Sequence, residues 1–162
     1  MESREIVRRA IEFGSPPRLP FWQHWSHKMP GFPDDVQNIW EMDRSESGWF
    51  FDNPVMDDWG CGWETADARN MGQVTAYPLA SWSALDRYHP PDPCNPFYYE
   101  RLGPLIDAAG SRYVAVTAHN LLFSRLHKLR GFAATMEDFY LEPERLSRVL
   151  DMIVEFKVRQ CN

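Results

Sequence analysis

The residues best suited to chemistry form one short run, Asp57-Asp58-Trp59-Gly60-Cys61-Gly62-Trp63-Glu64. Two adjacent carboxylates stand beside two indoles, and the run contains no basic residue to neutralise them. Apolar surroundings give a carboxylate a strong demand for hydrogen-bond donors, which is a property of binding and catalytic sites. The pattern fits equally a surface turn in which Trp59 and Trp63 fill the core. Both interpretations stay open at this point.

Histidines and arginines supply the other candidate groups. His24 and His27 are three residues apart and could share a metal ion with Asp57 or Asp58. A zinc site needs a third ligand fixed in space, so hydrogen bonding of His24 to a ligand, or plain packing, is the stronger interpretation. The sequence therefore offers a polar wall more readily than a metal centre.

A second group lies late in the chain. Arg125, His127 and Arg130 fall on one predicted helix and could bind a carboxylate. The sequence favours surface ion pairs of the two arginines with Glu137 or Asp138 instead. His127 could also pair with Glu137 or cap a turn.

Tryptophan is crowded into one region. Six of the seven tryptophans lie between positions 22 and 63. Such crowding suits either the core of a loop-rich region or a pocket for a large flat ligand, and composition does not choose between the two.

Composition excludes several classes. A chain of 162 residues with 44% hydrophobic and 25% charged residues predicts one globular domain over residues 1–162. A net charge of -6 without a basic stripe disfavours nucleic-acid and anionic-membrane partners. No apolar leader and no run of 18 apolar residues is present, which disfavours secretion and membrane spanning. Three widely spaced cysteines favour a reducing cytoplasm over a disulfide framework.

The elements that must position these residues alternate between helix and strand. Leu19 to Trp22 predicts a first strand, and Tyr113 to Thr117 predicts a strand buried on both faces. Residues 28–80 show little periodicity and form a long irregular insertion after the first strand, in which Gly72 to Thr75 suggests one arm of a hairpin. Helices are predicted from a Ser3 cap to Gly14, from Asn95 to Gly110, over 120–129 and 132–140, and from Pro143 onward.

This order indicates an α/β fold with parallel strands. A complete (β/α)8 barrel takes about 250 residues. We therefore expect the chain to be the N-terminal part of such a barrel.

Several pieces together resemble the uroporphyrinogen decarboxylase superfamily, which also contains corrinoid-dependent methyltransferases. The resemblance implies a (β/α)8 barrel of which this chain covers roughly the first half, so the chain alone would be inactive. The pieces, in order, are Ser3-Arg4-Glu5, Pro17 to Trp22, Asp57 to Glu64, Tyr77-Pro78-Leu79, Pro90 to Pro93 and Leu129 to Phe132.

The resemblance also implies roles. In the decarboxylases an aspartate deep in the cleft accepts hydrogen bonds from the pyrrole N–H groups of a tetrapyrrole, and Asp58 matches its position. An ionised acceptor in an apolar pocket stabilises the protonated pyrrole that takes up the electrons of the broken bond to CO2, so no cofactor is needed. His127 falls nearest to the family's tyrosine and is the second catalytic candidate. The implied substrate-binding residues are Trp22, Gln23, His24, Asp57, Trp59 and Trp63.

The departures from the family keep two alternatives open. The arginine-rich segment that grips substrate carboxylates is replaced by Gln23 to His27, which argues against uroporphyrinogen itself. One alternative is zinc-dependent methyl transfer from a corrinoid protein, with its ligands beyond Asn162. The other is a non-catalytic ligand-binding relative. A small-molecule substrate is expected in each case, and a homodimer is left open.

Overall fold

The computed structural model describes residues 1–23, 28–39, 56–64, 72–117 and 121–161. Besides its helices and strands it contains two 3₁₀ turns, Trp82–Arg87 and Pro96–Tyr98. The helices and strands are α1 Ser3–Ile11, β1 Val36–Ile39, β2 Gly62–Glu64, β3 Gln73–Ala76, α2 Leu102–Asp107, β4 Tyr113–Val116, α3 Leu122–Arg130, α4 Phe132–Leu141 and α5 Pro143–Cys161.

The chain divides into two compact units. The first is Met1–Met42 with Tyr99–Thr117, and the second is Asp43–Tyr98 with Ala118–Asn162. In the first unit β1 and β4 pair in parallel, with Val36 opposite Tyr113. Helix α1 buries Ile6 and Val7 and packs on both strands. The described residues are thus mixed helix and strand with a parallel pair, as the α/β prediction requires.

Strand β4 is less enclosed than expected. Its first three residues are half-buried and Val116 is 45% exposed, so the prediction of a strand buried on both faces is wrong. The reason is that the parallel sheet has only two strands within the described residues, which leaves each strand partly uncovered.

A buried carboxylate, Asp35, fixes the segment that was expected to form the first strand. It accepts hydrogen bonds from Ser3 Oγ (2.6 Å), Arg18 Nη2 (2.7 Å) and the Phe21 amide (2.9 Å). The hydrogen bonds from the Arg18 guanidinium hold the pKa of Asp35 well below its usual range. The prediction of a strand at Leu19–Trp22 is therefore wrong, because that backbone is used to hold Asp35 in place of a sheet partner. Ser3 likewise serves Asp35 and does not cap α1.

The predicted helix from Asn95 onward is also broken into pieces. A 3₁₀ turn over Pro96–Tyr98 precedes a short α2 over Leu102–Asp107. Pro104 has no N–H and is accommodated only in the first turn of a helix, so a helix containing it must begin close before it.

In the second unit α3, α4 and α5 pack against one another. The β2–β3 hairpin is antiparallel, which confirms the arm predicted from Gly72 onward. Helices α3, α4 and α5 agree with the helices predicted over 120–129, over 132–140 and from Pro143 onward. The fully enclosed apolar residues of these helices are Leu126, Leu129, Leu146, Val149, Ile153 and Phe156.

Gly131 joins α3 to α4. Its φ of 93° lies in the region open to glycine, and a Cβ there would meet the Tyr77 ring at 3.5 Å. Beside it, Arg130 Nε lies 2.7 Å from Asp138 Oδ2, which confirms the predicted ion pair, although both side chains are largely buried. Within the described residues no helix combines the length and the apolar character needed to cross a membrane.

Candidate functional site

The run from Asp57 to Glu64 forms a tight turn that leads into β2. The Gly60 amide donates to the Asp57 carbonyl, and the Asp57 amide donates to the Cys61 carbonyl, each at 2.9 Å. Gly60 has a φ of 79°, which other residues rarely adopt. This glycine therefore serves the turn itself.

Asp57 is the buried carboxylate of this turn, with its side chain 1% exposed. Its Oδ1 accepts from the amides of Trp59 (3.0 Å) and Cys61 (2.8 Å). Its Oδ2 accepts from Trp63 Nε1 (3.0 Å) and Arg125 Nη1 (3.2 Å). Four donors occupy its acceptor positions. Asp57 thus has the strong demand for donors that the sequence indicated, and the protein itself supplies them.

Arg125 is the basic partner that the run lacks. It comes from α3, its side chain is 0% exposed, and its guanidinium lies 4.7 Å from the centre of the Trp59 ring. The prediction of a surface ion pair for Arg125 is wrong, because the residue pairs with Asp57 inside the unit. The two residues are 68 positions apart in the sequence, so local sequence patterns do not reveal this pair. We call Asp57, Trp59, Cys61, Trp63 and Arg125 the Asp57 cluster.

The two indoles of the cluster are core residues. Trp59 is 1% exposed and meets Phe156 edge-on, with the ring centres 4.7 Å apart. Trp63 is 9% exposed, and Lys128 Nζ lies 5.0 Å from its ring centre. Of the two interpretations that the sequence left open, the structure places these rings in the core.

Cys61 closes the cluster as a neutral thiol. Its Sγ donates to the Lys128 carbonyl at 3.2 Å, and the residue is 0% exposed. Burial raises the pKa of the thiol to about 12, and the Asp57 charge adds to the effect. The thiol therefore stays protonated at neutral pH, which suits neither a nucleophile nor a metal-bound thiolate. Tyr88, whose pKa is raised by burial, donates its hydroxyl to the Trp59 carbonyl at 3.0 Å.

Asp58 meets the opposite environment. Its side chain is exposed, so the expectation that it lies in an apolar cavity is wrong for the described residues. Its Oδ2 accepts from the Tyr98 hydroxyl at 2.7 Å, and Tyr98 itself is 2% exposed. Oδ1 has no protein hydrogen-bond partner within the described residues. We call this contact the Asp58–Tyr98 pair. Sequence reasoning does not identify Tyr98, since it predicts a regular helix from Asn95 to Gly110, where the structure has a 3₁₀ turn over Pro96–Tyr98.

His127 lies in an aromatic cluster on α3 and α4. Its ring centre is 5.4 Å from that of Phe123 and 6.0 Å from that of Phe132. Burial, with a smaller effect of the Lys128 charge, lowers the pKa of the imidazole, so it is neutral at pH 7. No hydrogen bond or ring contact joins His127 to Asp58 in the part of the chain that the structure describes. The two predicted catalytic residues are thus not brought together as a contacting pair.

The remaining predicted residues lie in the first unit or outside the described ranges. The Gln23 side-chain amide is hydrogen-bonded to nearby backbone groups. Its Nε2 donates to the carbonyls of Phe32 (2.9 Å) and Pro33 (3.2 Å), and its Oε1 accepts from the Met29 amide (2.5 Å). Trp22 is 48% exposed and borders a shallow cavity of about 90 Å³. His24 and His27 lie outside the described residues, and so does the metal site suggested for them.

No group of three or more His, Cys, Asp or Glu side chains within the described ranges is placed to hold a metal ion. No family model matches the chain, and no curated protein or solved structure proves similar to it.

Proposed function

We propose that this chain is the N-terminal portion of a uroporphyrinogen-decarboxylase-like (β/α)8 barrel that acts on a tetrapyrrole or a related ligand rich in N–H groups. The observation that carries the proposal is the contrast within one turn. Asp57 accepts four hydrogen bonds from protein donors. Its neighbour Asp58 has one oxygen bound by a buried tyrosine and the other without a partner among the described residues.

Asp58 would serve as the acceptor for pyrrole N–H groups. An ionised oxygen held in one place stabilises positive charge that develops on a protonated pyrrole ring. The ring then takes the electron pair of the C–C bond as CO2 leaves, and a proton later replaces the lost carboxylate. The chemistry needs no cofactor. His127, as a neutral imidazole, is the second group proposed to take part in proton transfer.

The ion pairs of two arginines limit the number of carboxylates that a bound substrate can carry. Arg125 and Arg130, the residues that the sequence offered as carboxylate binders, are engaged by Asp57 and Asp138. A ligand with many carboxylates needs cationic partners. The proposal therefore favours a porphyrinogen with fewer carboxylates than uroporphyrinogen that still carries an acetate side chain. Coproporphyrinogen, whose propionates cannot pass an electron pair to the pyrrole ring, serves as a binding probe that is not turned over.

The zinc-dependent, corrinoid-linked alternative has no comparable support. Its zinc ligands would lie beyond Asn162, so the buried Cys61 thiol, which donates to the Lys128 carbonyl, does not bear on it. A non-catalytic ligand-binding relative would use the same Asp58 contact without turnover.

Anaerobic titration calorimetry with coproporphyrinogen and uroporphyrinogen tests the proposal. We expect coproporphyrinogen to bind more tightly, and Asp58→Asn to weaken its binding roughly tenfold or more. Asp86→Asn is the matched control, because Asp86 is an exposed aspartate of the same unit whose carboxylate accepts from the Arg148 side chain. Equal affinities for Asp58→Asn and Asp86→Asn would overturn the proposal. Chromatography of the oxidised products of uroporphyrinogen, after incubation with the full-length protein, then separates decarboxylation from binding without turnover.

A further inference from the structure

The Asp58–Tyr98 pair joins an exposed carboxylate to a buried phenol. The 2.7 Å separation is the usual length of a hydrogen bond donated by a hydroxyl. Because the Tyr98 ring is 2% exposed, its hydroxyl is the part that reaches Asp58 while the ring stays packed. The donor is thus anchored in the unit, and the acceptor is not.

Tyr98 is fixed by the backbone as well as by its ring. It ends the Pro96–Tyr98 turn, in which Asn95 Oδ1 accepts from the Phe97 amide and the Asn95 carbonyl accepts from the Tyr98 amide, each at 3.1 Å. A side chain of this type has only two rotatable bonds. The packed ring therefore restricts the position of the hydroxyl, which donates to Oδ2 of the exposed Asp58.

We propose that Tyr98 is a positioning residue that holds Asp58 Oδ2 and leaves Oδ1 as the single acceptor for the ligand. This inference rests on the proposed function. The N–H groups of a porphyrinogen converge toward the centre of the ring system, so one fixed oxygen suits them better than a freely rotating carboxylate. Tyr98 thereby contributes to the selection of ligands with convergent N–H donors, through orientation and not through contact with the ligand.

A double-mutant cycle on coproporphyrinogen affinity tests the role, since it separates action through Asp58 from a general structural effect. Tyr98→Phe keeps the ring and removes only the hydroxyl. We expect it to weaken binding about tenfold when Asp58 is present, and by less than about twofold in the Asp58→Asn background. Tyr88→Phe, which removes another tyrosine hydroxyl bound to the same loop, should leave the affinity unchanged.

The outcomes are distinct. Equal losses from Tyr98→Phe in both backgrounds, or no loss in either, would overturn the positioning role while leaving Asp58 as the ligand contact. No loss from Asp58→Asn would overturn the proposed function itself. A measurement that needs no ligand and no Tyr98 variant is the hydroxyl proton resonance of Tyr98. A slowly exchanging signal that shifts in Asp58→Asn supports the pair, and the absence of such a signal from the unmodified chain contradicts it.

Discussion

The Asp57 cluster and the Asp58–Tyr98 pair begin at neighbouring residues and show opposite ways of using a carboxylate. Asp57 is enclosed and binds four donors, among them a fully buried arginine. Asp58 is exposed, and within the described parts of the chain it binds one donor, a tyrosine 40 positions away. A charged group that is buried must be satisfied completely, and a satisfied group has nothing left to offer a ligand. In this turn the buried Asp57 is therefore the structural aspartate, and the exposed Asp58 is the candidate functional one.

The largest expected effect falls on the Asp57 cluster. Arg125→Met would leave the Asp57 charge buried and unpaired, and we expect a loss of about 3–5 kcal/mol in the free energy of unfolding. Asp57→Asn should cost a similar amount, because its amide would turn a donor toward Arg125 or Trp63. Urea unfolding followed by tryptophan fluorescence measures both. Losses below about 1 kcal/mol would show that the cluster does not hold the turn.

Removing the hydroxyl of Tyr88 or of Tyr98 should have a smaller effect on stability, and a different one in each region. Tyr88→Phe strips a buried donor from the Trp59 carbonyl, and we expect a loss of about 1 kcal/mol in unfolding free energy. Tyr98→Phe should cost less, because water can replace the hydroxyl at the exposed Asp58. Paired denaturation curves measure the difference. A larger loss for Tyr98→Phe than for Tyr88→Phe would contradict the division between the two regions.

At pH 9, the raised pKa of Cys61 should lower the free energy of unfolding by less than about 1 kcal/mol relative to neutral pH. Because folding raises the pKa of this thiol to about 12, its contribution to stability is complete below the unfolded value near pH 8.5 and declines as pH rises toward 12. Cys61→Ala should flatten this alkaline decline.

The burial of Cys61 also predicts that a thiol reagent modifies the exposed Cys94 and Cys161 in the native chain and does not modify Cys61. Rapid native modification of all three would show that the cluster is open.

Much of the helical structure follows directly from the sequence. The apolar spacing from Pro143 onward predicts α5 and the stop at Gly14 predicts α1, each within a few residues. The predicted ranges 120–129 and 132–140 likewise lie within two residues of α3 and α4. The hairpin arm after Gly72 follows from its glycine and its β-branched residues. These features depend on local periodicity and on turn chemistry, which one sequence contains in full.

The errors arise where a distant side chain decides the local structure. The stretch from Leu19 to Trp22 has the residue types of a strand. However, the Phe21 amide and the neighbouring Arg18 side chain both donate hydrogen bonds to the Asp35 carboxylate. The short β1, Val36–Ile39, was overlooked among turn residues because it depends on pairing with β4. At the site, the Asp57 run was identified correctly as unusual. Its partners Arg125 and Tyr98 lie 68 and 40 positions from the aspartates that they bind, beyond any local pattern.

The smallest effect on stability is expected for Asp58→Asn, within about 0.5 kcal/mol of the unmodified chain. The residue is exposed and its single protein donor can also bind an amide oxygen. Urea unfolding of this variant beside Asp57→Asn gives the direct contrast between two neighbouring positions carrying the same substitution. Similar losses for the two would remove the basis for assigning them different roles.

The most direct measurement is the gain in unfolding free energy that coproporphyrinogen confers on the unmodified chain and on Asp58→Asn. At a ligand concentration about 100 times the dissociation constant, the unmodified chain should gain about 2.7 kcal/mol. Asp58→Asn should start from the same stability and gain much less, since its ligand contact is weakened. If both proteins gain equally, or if neither gains, Asp58 does not hold a ligand of this class.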